Sequence, residues 1–216
     1  MLMNRVETAL INSPPRRWVQ RWYETPLLLR MGGPLDEGAR ALEIGCGSGY
    51  GVQLILERFG AGRVDAIDLD PAMVTRARRR LARYRGRVRV GVADATDLTG
   101  LVPRDGTYDA VFDNGIIHHI PEWRKAVAEV ARVLRPGGLF YFGEVTAHAL
   151  ARPSYRLLFD HPEHDRFTGR RFLDVLDDHG LTVRASRELV FGDFVLGVAQ
   201  KSVPRDRPGA ASERQP

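Results

Sequence analysis

Along the chain, short apolar runs alternate with longer stretches in which apolar residues recur every three or four positions. Ala39–Ile44, Arg63–Asp68, Arg87–Val92, Tyr108–Asp113 and Leu139–Gly143 read as strands. Val52–Phe59, Pro71 to about Tyr84, and Glu122–Leu134 read as helices. Pro71 suits a first helical turn, where the missing N–H costs nothing. Arg135-Pro136-Gly137-Gly138 reads as a sharp turn before the fifth strand. Strand–helix alternation of this kind predicts a parallel sheet covered on both faces. No internal repeat is visible.

The two ends break the pattern. Residues 1–15 read as weakly structured, up to Pro14-Pro15. From Arg16 to Met31, Trp18, Val19, Trp22, Leu27, Leu28 and Met31 recur among arginines, an amphipathic segment that Pro26 is expected to break or kink. Beyond Glu144, residues 145–167 are rich in His, Arg and Pro, with one helical turn expected around Leu157, Leu158 and Phe159. Arg170–His179 then reads as a helix capped by Gly180. Val183–Val190 and Phe194–Gln200 read as strands joined at Gly192-Asp193, a hairpin signal. The tail 202–216 lacks periodicity and reads as disordered.

The chain is organised around Ala41-Leu42-Glu43-Ile44-Gly45-Cys46-Gly47-Ser48-Gly49-Tyr50-Gly51. An apolar strand ends in four glycines at alternate positions and a helix follows. Such a turn lets a ligand lie against backbone, with the helix N-terminus aimed at it. The dinucleotide fingerprint G-x-G-x-x-G does not fit: counted from Gly45 or from Gly47, its third glycine falls on Tyr50 or Val52. Asp68 ends the second strand at about the spacing where doubly wound folds place a carboxylate on ribose hydroxyls. Asp70, directly before Pro71, better suits a helix N-cap.

The E-x-G-x-G-x-G stretch resembles the first motif of class I S-adenosylmethionine (SAM) methyltransferases. Ala66-Ile67-Asp68-Leu69-Asp70-Pro71 resembles their second, and Val92-Ala93-Asp94-Ala95-Thr96 their third. Tyr108–Pro121, which carries Asn114, His118 and His119, and Arg132–Leu139 resemble the fourth- and fifth-strand signatures of the small-molecule, quinone and natural-product members. The resemblance covers roughly residues 40–145. It implies an α/β fold, a Rossmann-like doubly wound seven-stranded mostly parallel sheet with a C-terminal antiparallel hairpin strand. It implies SAM as cofactor, with Gly45, Gly47 and Gly49 approached through their backbone, Asp68 on ribose, and Leu69, Asp94 and Ala95 at adenine. Glu43 would hold the loop or reach the methionine end, and Asn114 would be a further cofactor-binding residue. The expected division is a helical lid over 1–38, the SAM-binding domain over 39–201 and the tail.

Composition narrows the partners. A chain of 216 residues, 44% hydrophobic and 27% charged, is ordinary for one globular domain. The net charge of +5 comes almost wholly from arginine, Lys125 and Lys201 being the only lysines. The arginines are scattered, so no nucleic-acid partner is expected, and Arg76–Arg80 read as a solvated helix face. No run is long enough to span a bilayer and no secretory signal is read, so stable membrane insertion is not expected. The single Cys46 fits a cytoplasmic location. A small-molecule substrate and a homodimer are the expected partners.

Methyl transfer is an in-line displacement at a sulfonium, so placement and a base are what the protein contributes. Residues just past the fourth and fifth strands border the methyl group: Asp113, Asn114, His118, His119 and Glu144. Some sugar O-methyltransferases of natural-product synthesis resemble the chain here, which implies His118 as base and Glu144 as its orienter or as an acceptor-binding carboxylate. No metal site is read: Asp113-Asn114 lacks a third oxygen ligand, and His148, His161, His164 and Asp165 match no zinc spacing. O-methylation of a small molecule is the expectation. N- or C-methylation, a catalytically inactive SAM-binding partner protein and a NAD-dependent oxidoreductase are its rivals.

Overall fold

The structure is a computed structural model and describes residues 5–153, 155 and 164–203. Seven strands form one sheet: β1 (Arg40–Ile44), β2 (Arg63–Asp68), β3 (Val88–Val92), β4 (Tyr108–Asp113), β5 (Leu134–Val145), β6 (Leu181–Leu189) and β7 (Phe194–Lys201). Their order is β3-β2-β1-β4-β5-β7-β6. β1 through β5 pair in parallel, and β7 is inserted antiparallel to both β5 and β6. This is the expected Rossmann-like doubly wound sheet, closed by an antiparallel hairpin strand.

Because side chains alternate across a strand, each central strand feeds two cores. On one face Leu42, Val111, Phe140 and Phe142 meet Trp123 and Phe172. On the other Ala41, Phe112 and Tyr141 meet Leu28 and Phe59. Burial on both faces explains why the strands read as near-continuous apolar runs. Phe112 stacks on Tyr141 with ring centroids 4.6 Å apart, and Phe59 meets both rings edge-on.

Several local expectations are corrected. Helix α1 (Arg5–Ile11) lies inside the stretch read as weakly structured. Pro26 does not break the next helix. That helix, α2, runs through Pro14–Val19, a π-helical turn Gln20–Glu24, and Thr25–Gly32. The wide turn lies immediately before Pro26, where a missing N–H and a bulky ring would strain a regular α-helix. Ser13 caps its start by accepting from the Arg16 amide at 3.3 Å. Helix α3 starts at Tyr50, two residues early, and its last turn, Ile55–Phe59, is π-helical. Helix α4 (Pro71–Arg80) is capped by Asp70, whose Oδ1 accepts from the Ala72 amide at 2.7 Å, and tightens to 3-10 over Leu81–Tyr84. Arg135–Gly138 is not a turn ahead of β5 but an irregularity within it: Tyr108 pairs with Leu134 and Ala110 already with Leu139. A 3-10 turn (Ile117–His119) and helices α5 (Trp123–Val133), α6 (Ala147–Leu150) and α7 (Gly169–Asp178) follow among the described residues. The turn expected at Leu157–Phe159, His161 and the tail from residue 204 lie outside the described residues. Among the described residues no helix is long and apolar enough to cross a membrane.

Candidate functional site

The strand order reverses between β1 and β4. In an open α/β sheet the crevice past the carboxyl ends of the strands at such a point is the ligand site. Two cavities lie there. One, of about 160 Å³, is bounded by Gly45, Asp68, Leu69, Met73, Asp94 and Ala95. The other, of about 440 Å³, has Asn114, His118 and His119 on its polar side and aliphatic side chains over most of the rest. His119 borders both.

The glycine loop is held by Asp68. Its Oδ2 accepts from the Gly47 amide at 2.7 Å and its Oδ1 from the Asp70 amide at 2.9 Å. Burial raises its pKa above the usual carboxylate value. Gly45 has φ +64°, and a Cβ there would come within 2.4 Å of Ile116. Only glycine lets the loop lie this close to the segment after β4. At Gly49 a Cβ would meet Leu81 and Ala77, so this glycine also lets the loop pack on helix α4 and the turn after it. Leu69 is 46% exposed at the rim of the smaller cavity. Asp94 also caps its own loop, its Oδ1 accepting from the Thr96 amide and hydroxyl at 2.8 Å each.

Glu43 lies beneath the loop rather than in either cavity. It is wholly buried, and burial pushes its pKa to about 8. The Asn114 amide donates to its Oε1 at 2.6 Å, while Oε2 has no partner among the described residues. Gly51, which the sequence reading did not assign to the site, makes room for this carboxyl: a Cβ there would fall 1.8 Å from Glu43 Oε1. The signal was the fourth glycine of the alternating series, whose role depends on a side chain eight positions earlier.

His118 and Glu144, from the ends of β4 and β5, come together. His118 Nδ1 lies 2.5 Å from Glu144 Oε2. Glu144 also accepts from the backbone amides of Ile117 at 2.7 Å and His118 at 3.1 Å. Burial pushes Glu144 up to about 7 and His118 down to about 4, so the resting imidazole is neutral. Asp113 is raised well above its usual range, by burial first and the Glu144 charge second. Its Oδ1 accepts from the Gly115 and Ile116 amides, which fixes the turn carrying His118.

The N-terminal helices reach the site, a placement sequence periodicity could not give. Thr8 borders the smaller cavity, and Leu10, Ile11, Val19 and Tyr23 border the larger. Trp22 does not join them; it is 55% exposed and lies against the guanidinium groups of Arg21 and Arg58. Arg80 is no free solvated residue either, since its Nε donates to the Ser48 carbonyl at 2.9 Å. His148 instead pairs with Asp193 at 2.8 Å, and Asp165 with Arg124 and Arg171.

Comparison with known proteins places this geometry. A family model described as a methyltransferase domain matches residues 41–138. The malonyl-[acyl-carrier protein] O-methyltransferase of Halorhodospira halophila is 32% identical over 205 residues, covering 88% of this chain and 68% of that protein. The trans-aconitate 2-methyltransferase of Variovorax paradoxus is 29% identical over 106 residues, 49% of this chain; the match spans only 38% of that relative's length. A SAM-dependent methyltransferase from Aquifex aeolicus has the same fold, with a TM-score of 0.69 at 22% identity, covering 93% of this chain and 99% of that one. The smaller cavity suits an adenosyl group, with a carboxylate at the end of β2 and an apolar rim at Leu69. Sequence and fold agree that the chain belongs to the class I SAM-dependent methyltransferases, with SAM as its methyl donor.

Proposed function

We propose that the chain methylates a hydroxyl oxygen of a small molecule held in the larger cavity, with His118 as base and Glu144 orienting it. The single observation behind this is the 2.5 Å contact between His118 Nδ1 and the buried Glu144, beside the larger cavity that His118 lines. A carboxylate on one ring nitrogen fixes the tautomer and stabilises the imidazolium formed when the other nitrogen takes a proton. The O-methyltransferase similar over most of the chain favours oxygen over nitrogen or carbon.

In this reading Asp68 binds the ribose hydroxyls, with lone pairs that its two loop bonds leave over. Leu69 packs on adenine, and Asp94 and Ala95 meet its edge. Gly45 and Gly47 line the path of the donor, while Glu43 and Asn114 form a buried pair under its methionine end. The helices within residues 1–38 cover donor and acceptor. When bound, SAM would supply an electrophilic methyl carbon to the acceptor oxygen, with S-adenosylhomocysteine as the leaving product. His118 takes the acceptor proton at Nε2, because Nδ1 is committed to Glu144, and releases it to solvent.

The test is His118→Ala, assayed by S-adenosylhomocysteine release with a hydroxyl acceptor and by calorimetry with S-adenosylhomocysteine. A base worth the usual 10²–10⁴-fold predicts a kcat drop of roughly that size with cofactor affinity unchanged. Undiminished turnover removes His118 from the mechanism.

A further inference from the structure

The larger cavity says more about its occupant than the presence of a base. One part of its wall is aliphatic and comes from the N-terminal helices, at Leu10, Ile11 and Val19. Another part, from the sheet, is apolar too: Val145 and Leu196 with the aromatic ring of Phe194. Its volume of about 440 Å³ falls within the range of small-molecule sites.

Among the described residues the charges on this wall cancel. Among the described lining residues, Arg16 and Glu24 are the side chains of opposite formal charge, and they pair with each other at 2.7 Å. His118 is held neutral by its burial. A cationic acceptor would therefore enter an apolar chamber that offers no counter-ion among the described residues and would meet the donor's own sulfonium, at a heavy cost. A carboxylate acceptor has a different difficulty. It is already ionised, so a base would have nothing to remove, and its charge would approach Glu144. The polar wall at Asn114 and His118 instead matches one uncharged hydroxyl.

From this wall we infer that the acceptor is a neutral, lipophilic hydroxyl compound, its hydrocarbon body filling the aliphatic chamber and its O–H directed at His118. This rests on the proposed O-methylation through His118. The bookkeeping is unchanged: an O–H bond breaks, a C–O bond forms, the methyl–sulfur pair leaves with sulfur, and the proton passes to His118.

The experiment uses the full chain with SAM and four probes: 1-octanol, 4-butylphenol, octanoate and ethylene glycol. S-adenosylhomocysteine release gives kcat and KM, and calorimetry on the S-adenosylhomocysteine complex gives binding apart from turnover. The expected result is methylation of octanol or butylphenol, with KM at least roughly tenfold below that of ethylene glycol and no turnover of octanoate. Leu10→Asp, a change at a half-exposed wall residue, should raise that KM roughly tenfold with kcat preserved, and Leu10→Met should restore it. Octanoate methylated in preference to octanol overturns the inference and leaves methyl transfer standing. Octanol that binds the complex without being methylated supports the apolar class and places the failure on the O-methylation reading. Absence of both binding and turnover for octanol and butylphenol overturns the inference, as does a KM insensitive to Leu10→Asp.

Discussion

Glu43 is a carboxylic acid sealed inside the protein, with one oxygen on Asn114 and the other without a partner among the described residues. Its folded pKa of about 8 exceeds the ordinary 4.5, so the native state holds a proton that the unfolded chain releases between those values. Stability from this group is complete below about 4.5 and is lost as pH rises through about 8. Glu43→Gln should therefore flatten the decline in melting temperature of the cofactor-free protein over that window; a decline of unchanged slope refutes this. Gly51→Ala should expel the Glu43 carboxyl and weaken S-adenosylhomocysteine binding, because the added methyl cannot share 1.8 Å with Oε1. Asp68→Ala should weaken the same binding by roughly 10- to 100-fold, the worth of one or two hydrogen bonds to a charged group. At Glu144, kcat should rise with pH through about 7, as the carboxylate forms and stabilises the imidazolium. Glu144→Gln should remove that step from the pH profile. The residue types were legible in sequence: Asp68 at a strand tip and His118 past another. The pairing of His118 with Glu144 was inferred from a resemblance, and no local pattern could give its distance.

At the scale of elements, the N-terminal helix α2 joins the sheet to the site. Leu28 packs into the core that holds Phe59, Tyr141 and Leu196 and also borders the larger cavity. The Tyr141 hydroxyl donates to the Gly33 carbonyl at 2.9 Å, pinning the end of the helix. Leu28→Ala should cost about 2–5 kcal/mol in urea unfolding, as for other buried leucine truncations. If α2 is a cover, the same change should raise the acceptor KM; an unaltered KM would confine Leu28 to packing. Sequence periodicity found α2 and expected Pro26 to break or kink it; the helix is not broken, and the widened turn ahead of the proline has no signature in composition. Arg135-Pro136-Gly137-Gly138 misled in the opposite sense. Its residues spell a turn, yet the flanking residues on both sides pair with β4. Pairing on either side of an irregularity is decided by the neighbouring strand.

The whole molecule is a sheet between two cores, with its ligand crevice where the strand order reverses. A ligand that binds only this folded arrangement stabilises it by mass action. S-adenosylhomocysteine at a hundredfold excess over its Kd should add about 2.7 kcal/mol, seen as a raised melting temperature, while NAD at the same concentration should leave it unmoved. A shift with NAD alone would contradict the cofactor assignment. The sequence by itself determined the alternation of strands and helices, the glycine loop and the acids at strand tips, because each is written in residues a few positions apart. Tertiary structure alone decided that Asn114 would reach Glu43 across 71 residues, that Glu144 would lie 2.5 Å from His118, and which side chains of α1 and α2 would border the cavities. Those contacts arise when strands distant in the chain pack as neighbours, and the periodicity of a single segment carries no record of which neighbour it will have.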